Sequence, residues 1–192
     1  MKLSKRGEYA LRTIINLGIA AKVGRRLVRV TELAEAEDLP VKFLEQIMQQ
    51  MREAGFVESV RGKHGGYRLA KDANAIPVGQ VVRLIDGPLA PIGCVSQTAY
   101  EPCNCPDPDH CGLRMLMLDV RNAIAGVLDR HTLADVVEVT TRSLVRDGLP
   151  LPFSVQADAA RTKTPRTPGP GPARRLSPTD GVIHQILGDY AI

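Results

Sequence analysis

The residues that carry the most chemistry are four cysteines, at positions 94, 103, 105 and 111 of a 192-residue chain. Thiolates are nucleophiles and soft metal ligands. Four of them in one Pro- and Asp-containing stretch, flanked by Gly93 and Gly112, therefore suit an iron–sulfur cluster, zinc or another metal, or cluster-free redox thiols. The spacing Cys94-x8-Cys103-x-Cys105-x5-Cys111 lacks the paired C-x2-C of ordinary zinc sites. An even count also allows disulfides. However, no run of apolar residues is long enough to span a bilayer and no secretory leader is read, so a cytoplasmic, reducing setting is expected. No nucleophile–base pair, phosphate loop or HExxH-like pattern accompanies the cysteines, so an enzyme and a small-molecule substrate are not expected.

A second chemistry lies upstream. Between Val41 and Ala54, Leu44, Ile47, Met48 and Met51 form one apolar stripe at helical spacing. The opposite face carries Lys42, Glu45, Gln46, Gln49, Gln50 and Arg52. Amide, carboxylate and cationic side chains in this arrangement can read base edges and grip phosphates, although on an isolated helix the same face would simply be solvated. The residues downstream of the helix favour base reading. Gly55 closes the helix, Phe56–Val60 alternates like a strand, and Tyr67–Ala70 supplies a second strand. Between the strands, Arg61, Lys63 and His64 sit among glycines as a basic hairpin tip.

Two further helices are needed to position that third one. Ser4 is a candidate N-cap for a helix running to Ala21, with Tyr9, Ile14, Leu17 and Ile19 on its apolar face. Lys22–Arg26 breaks it, Thr31 is the candidate N-cap of a second helix, and Leu39-Pro40 ends that helix in a short turn. Two short helices, a polar third helix and a basic hairpin predict a mainly α winged helix-turn-helix over residues 1–72. The third helix enters the major groove of duplex DNA and the wing tracks phosphate.

Residues 73–146 read as a connecting helix (Val78–Asp86), the cysteine loop (88–112) and a long helix. In the last, Leu113, Leu116, Val120, Ile124 and Val127 recur in steps of three and four. That is a coiled-coil-like seam and predicts a homodimer, which would meet a palindromic operator. Thr132 and Asp135 form a capping box for a short following helix. Residues 147–176 read as a disordered linker rich in Pro, Gly and Arg, and 177–192 as a short amphipathic segment. Charge follows the same division: residues 1–72 carry 14 Lys/Arg against 9 Asp/Glu, whereas 73–160 carry 6 against 10. A basic head on an acidic body is the balance a DNA-binding module would show.

Three separated motifs now resemble a known family. Arg6-Gly7-Glu8-Tyr9-Ala10-Leu11-Arg12, Phe43-Leu44-Glu45-Gln46-Ile47, and Val60 through Leu69 are similar to the Rrf-type transcriptional regulators, over roughly residues 1–140. The resemblance implies a homodimeric DNA-binding regulator, most often a repressor, with Glu45 and Gln46 reading bases and Arg61 in the wing. It also implies a three-cysteine iron–sulfur site: Cys94, Cys105 and Cys111 fit its pattern, with Leu113-Arg114 following as in the family. Cys103 is the extra thiol and could replace Cys105. Whether the cluster is 2Fe–2S or 4Fe–4S is left open, as is the thiol-based, cluster-free alternative. Relatives take a fourth ligand from a histidine three positions after the last cysteine, which is Arg114 here. Others take it from an acid on the first helix of the other subunit, and Glu8 stands at that position, with His110 and Cys103 as rivals.

Overall fold

The computed structural model describes residues 2–62 and 64–154. Its elements are six helices and one hairpin: α1 (Lys5–Lys22), α2 (Val30–Glu37), α3 (Val41–Glu53), β1 (Val57–Val60), β2 (Gly66–Leu69), α4 (Val78–Asp86), α5 (Gly112–Arg130) and α6 (Leu133–Arg146). The architecture is mainly helical with a two-stranded antiparallel wing, as the sequence predicts.

Local signals explain the boundaries. The Ser4 hydroxyl accepts from the Gly7 N–H, so α1 starts where its cap residue stands. The second helix differs from expectation, because Thr31 lies inside it rather than at its cap. The cap is Arg29, two residues earlier, since Glu32 reaches back to accept from the Arg29 backbone N–H at 2.8 Å. α3 ends at Glu53, and Gly55 follows at φ 71°, a conformation that favours glycine after a helix.

In the wing, Val57 pairs with Leu69 and Val60 with Gly66. A short third pairing is added by Val28, whose N–H donates to the Tyr67 carbonyl (3.0 Å) and whose carbonyl accepts from Tyr67 (2.8 Å). The sequence reading missed this pairing because Leu27-Val28 is too short to show alternation. Gly66 permits it: a Cβ there would lie 2.6 Å from the Val28 carbonyl oxygen.

One buried cluster holds the head together and continues past residue 72. Ala10, Ile14 and Leu17 of α1, Leu33 of α2, and Leu44, Ile47, Met48 and Met51 of α3 pack with Ile76, Val81, Leu133, Val137 and Phe153. The apolar stripe expected on α3 is thus fully buried. α6 is a 14-residue helix rather than a short one, because Leu133 and Val137 pack on α1, where Gly18 allows close approach. Its Thr132–Asp135 capping box forms as expected. Backbone bonds from Val78 N–H to the His131 carbonyl and from Leu133 N–H to the Ile76 carbonyl pin the α5–α6 elbow to the start of α4.

The expected linker does not begin at Asp147. Residues 147–154 turn back so that Phe153 is buried in the core, with a backbone bond from Leu149 N–H to the Leu144 carbonyl. The remainder of the linker and the C-terminal amphipathic segment lie outside the described residues.

Candidate nucleic-acid interface and cysteine loop

α3 turns its polar side away from the core. Lys42, Glu45, Gln46, Gln49 and Arg52 are all exposed, while the helix stripe beneath them is closed to solvent. Gln49 donates to Glu53 at 2.9 Å, and Arg52 lies 3.4 Å from the Ser59 hydroxyl on β1, which steadies the helix end against the wing. Gln50 departs from the expected face. It is half-buried and donates to the Leu84 carbonyl at 2.8 Å, so it ties α3 to α4. Tyr9 packs edge-on against Phe43, with centroids 6.0 Å apart, and seats the start of α3 on α1.

The wing presents Arg61 and His64 to solvent beside Gly62, whose φ is 113°. A Cβ at Gly65 would lie 2.2 Å from the Val60 carbonyl oxygen, so the tip closes only with glycine there. Lys63 lies outside the described residues. Across the hairpin, Arg68 pairs with Glu58. The exposed cations at the tip and the polar face of α3 thus stand on adjoining elements of one head.

The cysteine loop folds under the start of α5. Cys94 is buried in a 3-10 turn over Gly93–Val95, Cys103 and Cys105 come from the return of the loop, and Cys111 is the N-cap of α5. All four border one cavity of about 240 Å³, together with Glu101 and Arg114. Cys103 neighbours both Cys94 and Cys105, and this proximity together with burial shifts the acidities of these three thiols. Cys103 is held below the usual thiol value because the backbone N–H and thiol of Cys105 hydrogen-bond to its sulfur. Cys105 is pushed up to about 11 by that same contact with Cys103 and by burial. Burial, then the neighbouring Cys103, raises Cys94. Soft sulfur donors from both sides of the loop suit an iron–sulfur group, although among the described residues no three ligand-type side chains already enclose a metal ion.

The three rivals for a fourth ligand are separated. Cys103 lines the cavity. His110 does not: its side chain is 84% exposed and its Nδ1 lies 2.7 Å from Asp107. Glu8 is on the first turn of α1, 2.8 Å from Lys5 and 3.8 Å from Arg12, and the recess it borders contains no cysteine. The hydrogen bond from Lys5 holds the Glu8 carboxyl below the usual range. Glu101, which the sequence reading missed, supplies the carboxylate at the cavity wall. It packs so closely on Gly93 that a Cβ there would lie 2.7 Å from its own Cβ. Only its nearness to Cys103 in the chain could have flagged it.

α5 leaves apolar residues uncovered on more than one side. Leu113, Leu116, Val120 and Val127 of the expected seam are exposed, as are Met115 and Leu118. The helix is anchored instead at its far end, where Arg83 of α4 grips Asp129 through two bonds of 2.6 and 2.7 Å. Among the described residues no helix is long and apolar enough to cross a membrane.

Comparison with known proteins agrees with this geometry. Residues 3–139 match the Rrf2 family model, described as an iron-dependent transcriptional regulator. The chain is 34% identical over 137 residues to a Rhodobacter capsulatus protein named as an HTH-type transcriptional regulator, rrf2-like, covering 70% of this chain and 91% of that one. Among solved structures, CymR, the global cysteine regulator of Bacillus subtilis, superposes with a TM-score of 0.61 at 31% identity, over 72% of this chain and 97% of CymR. IscR of T. potens does so at 0.55 and 25% identity, over 87% and 94% of the two chains. Regulators of this family bind DNA through a winged helix, and they are regulators rather than enzymes. The chain belongs to the Rrf2 family of winged-helix transcriptional regulators.

Proposed function

We propose that this chain is a homodimeric regulator, in the manner of a repressor, whose affinity for a palindromic operator is set by the state of its cysteine loop. The observation that carries the proposal is the meeting of four thiols at one cavity under the first turn of α5. A change of ligation or oxidation there bears directly on the helix that would join the two subunits. Lys42, Glu45, Gln46, Gln49 and Arg52 read or position DNA in the major groove. Arg61, Lys63 and His64 contact phosphate or the minor groove.

Cys94, Cys105 and Cys111 would hold an iron–sulfur cluster, which supplies sensitivity to iron, oxidant or nitric oxide when bound. Cys103 is the alternative to Cys105. Glu8 of the partner subunit is the proposed fourth ligand, with Glu101 as the rival from the same chain. Arg114 lies at the cavity edge, where its charge offsets that of the thiolates. The exposed apolar residues of the α5 seam support the packing of a second subunit there.

A second reading is favoured by the position of Cys103 beside Cys94 and Cys105 at the same cavity. In that reading the thiols act without metal. Two of them form a disulfide as a peroxide is reduced to water, the two thiol hydrogens leaving with its oxygens.

Reconstitution with iron and sulfide under anaerobic conditions separates the two. The cluster reading expects visible absorbance that is lost in Cys94→Ala and Cys111→Ala, altered in Glu8→Ala, and kept in His110→Ala. A colourless protein whose thiols disappear on peroxide treatment supports the second reading. A spectrum altered by Glu101→Ala but not by Glu8→Ala moves the fourth ligand into the same chain.

A further inference from the structure

Arg121 stands on the inner side of α5, and only 9% of it is exposed. Its Nε is enclosed with no hydrogen-bond partner. An arginine cannot relieve burial by shedding its proton, so an enclosed Nε–H without a partner calls for an acceptor, and an anion answers the charge as well. It lines a second cleft of about 310 Å³ between the cysteine loop and α5, together with Ser96, Gln97, Asp109 and Arg114. Ser96 is also buried. Its oxygen accepts from the Ala99 N–H, which leaves its hydroxyl proton to donate. Asp109 does not cancel the charge: its side chain is 87% exposed and 3.8 Å from Arg114, whose guanidinium also donates to the Pro108 carbonyl.

We propose that this cleft binds a small organic carboxylate, held by Arg121 and the Ser96 hydroxyl with Arg114 at the mouth. The chemistry is that of a charge-assisted guanidinium–carboxylate pair, and the volume falls at the low end of small-molecule sites, which suits an acid of a few carbons. Cys94 and Arg114 border both this cleft and the cavity of the four thiols. An acid bound here therefore shares Cys94 and Arg114 with the cysteine site and is placed to modulate it. The binding itself does not depend on whether the thiols hold a cluster.

Isothermal titration calorimetry on the full chain tests the site, with acetate, succinate, citrate and inorganic phosphate at constant ionic strength. The expected result is saturable uptake of at least one carboxylate in preference to phosphate, at least ~10-fold weaker in Arg121→Met and partly restored in Arg121→Lys. Ser96→Ala changes no charge and is expected to weaken the same binding, which guards against a fold defect in Arg121→Met. Absence of saturable uptake of every acid, equal uptake by wild type and Arg121→Met, or preference for phosphate overturns the proposal. So does an Arg121→Met effect confined to the monomer–dimer equilibrium, which would give the guanidinium to an acid of a second copy.

Discussion

The Arg12 guanidinium stands 2.5 Å from the buried Glu37 carboxylate and, on its other side, 3.8 Å from Glu8, linking α1 to the end of α2. Glu37 also accepts from Asn16. Burial nevertheless dominates and raises the Glu37 carboxyl above its ordinary value, with Arg12 and Asn16 only partly opposing it. In the window between the unfolded and the raised folded value, the native state holds more protons than the unfolded chain. Stability is therefore greatest below the unfolded value and falls as pH rises through that window. Urea denaturation across a pH series is expected to show this slope in wild type and to lose it in Glu37→Gln. Arg12→Met leaves the buried carboxylate without its half-exposed cation and should cost about 1–3 kcal/mol at neutral pH.

Gln46 and Gln50 of α3 should behave differently. Gln46→Ala removes an exposed amide and is expected to lower operator discrimination by about 1–3 kcal/mol while leaving stability nearly unchanged. Gln50→Ala breaks the bond to the Leu84 carbonyl and should lower thermal stability without changing which sequence is preferred. Selection from random duplexes, paired with thermal melts, checks both.

Leu116 and Val127 are 57% and 45% exposed on α5. Their replacement by Glu should therefore leave the subunit folded but place like charges in the seam. Light scattering is expected to show a monomer, with operator affinity reduced at least ~100-fold as the second half-site is lost.

At the crossing of α1 and α6, a Cβ on Gly18 would lie 2.5 Å from Val137 Cγ2. Gly18→Ala is expected to destabilise the chain by about 1–3 kcal/mol in chemical denaturation. The double variant with Val137→Ala should be less destabilised than the sum of the two single changes, since the smaller side chain makes room.

The head was legible because its signals are local. The Ser4 cap, the apolar stripe of α3, Gly55 and the glycine-rich wing each fix their own neighbourhood, and their order implies the fold. What escaped the sequence reading depends on residues far apart in the chain. Val28 pairs with Tyr67, Gln50 reaches Leu84, and Phe153 returns to the core, and none of these leaves a periodic trace. The same holds at the cysteine site. Spacing picked out the thiols, whereas Glu101 comes to the cavity only through its packing on Gly93, and His110 turns to Asp107 instead.

The central claim is that the state of the cysteine loop sets operator affinity. The direct measurement is fluorescence anisotropy on a duplex selected by the protein itself, comparing anaerobically reconstituted, iron-free reduced and peroxide-treated full-length chain at one salt concentration. The account predicts affinities that differ at least ~10-fold between two of these states, with the difference abolished in Cys94→Ala. Equal affinity in all three states, in a wild-type protein whose iron content and thiol count are shown to differ, would contradict it.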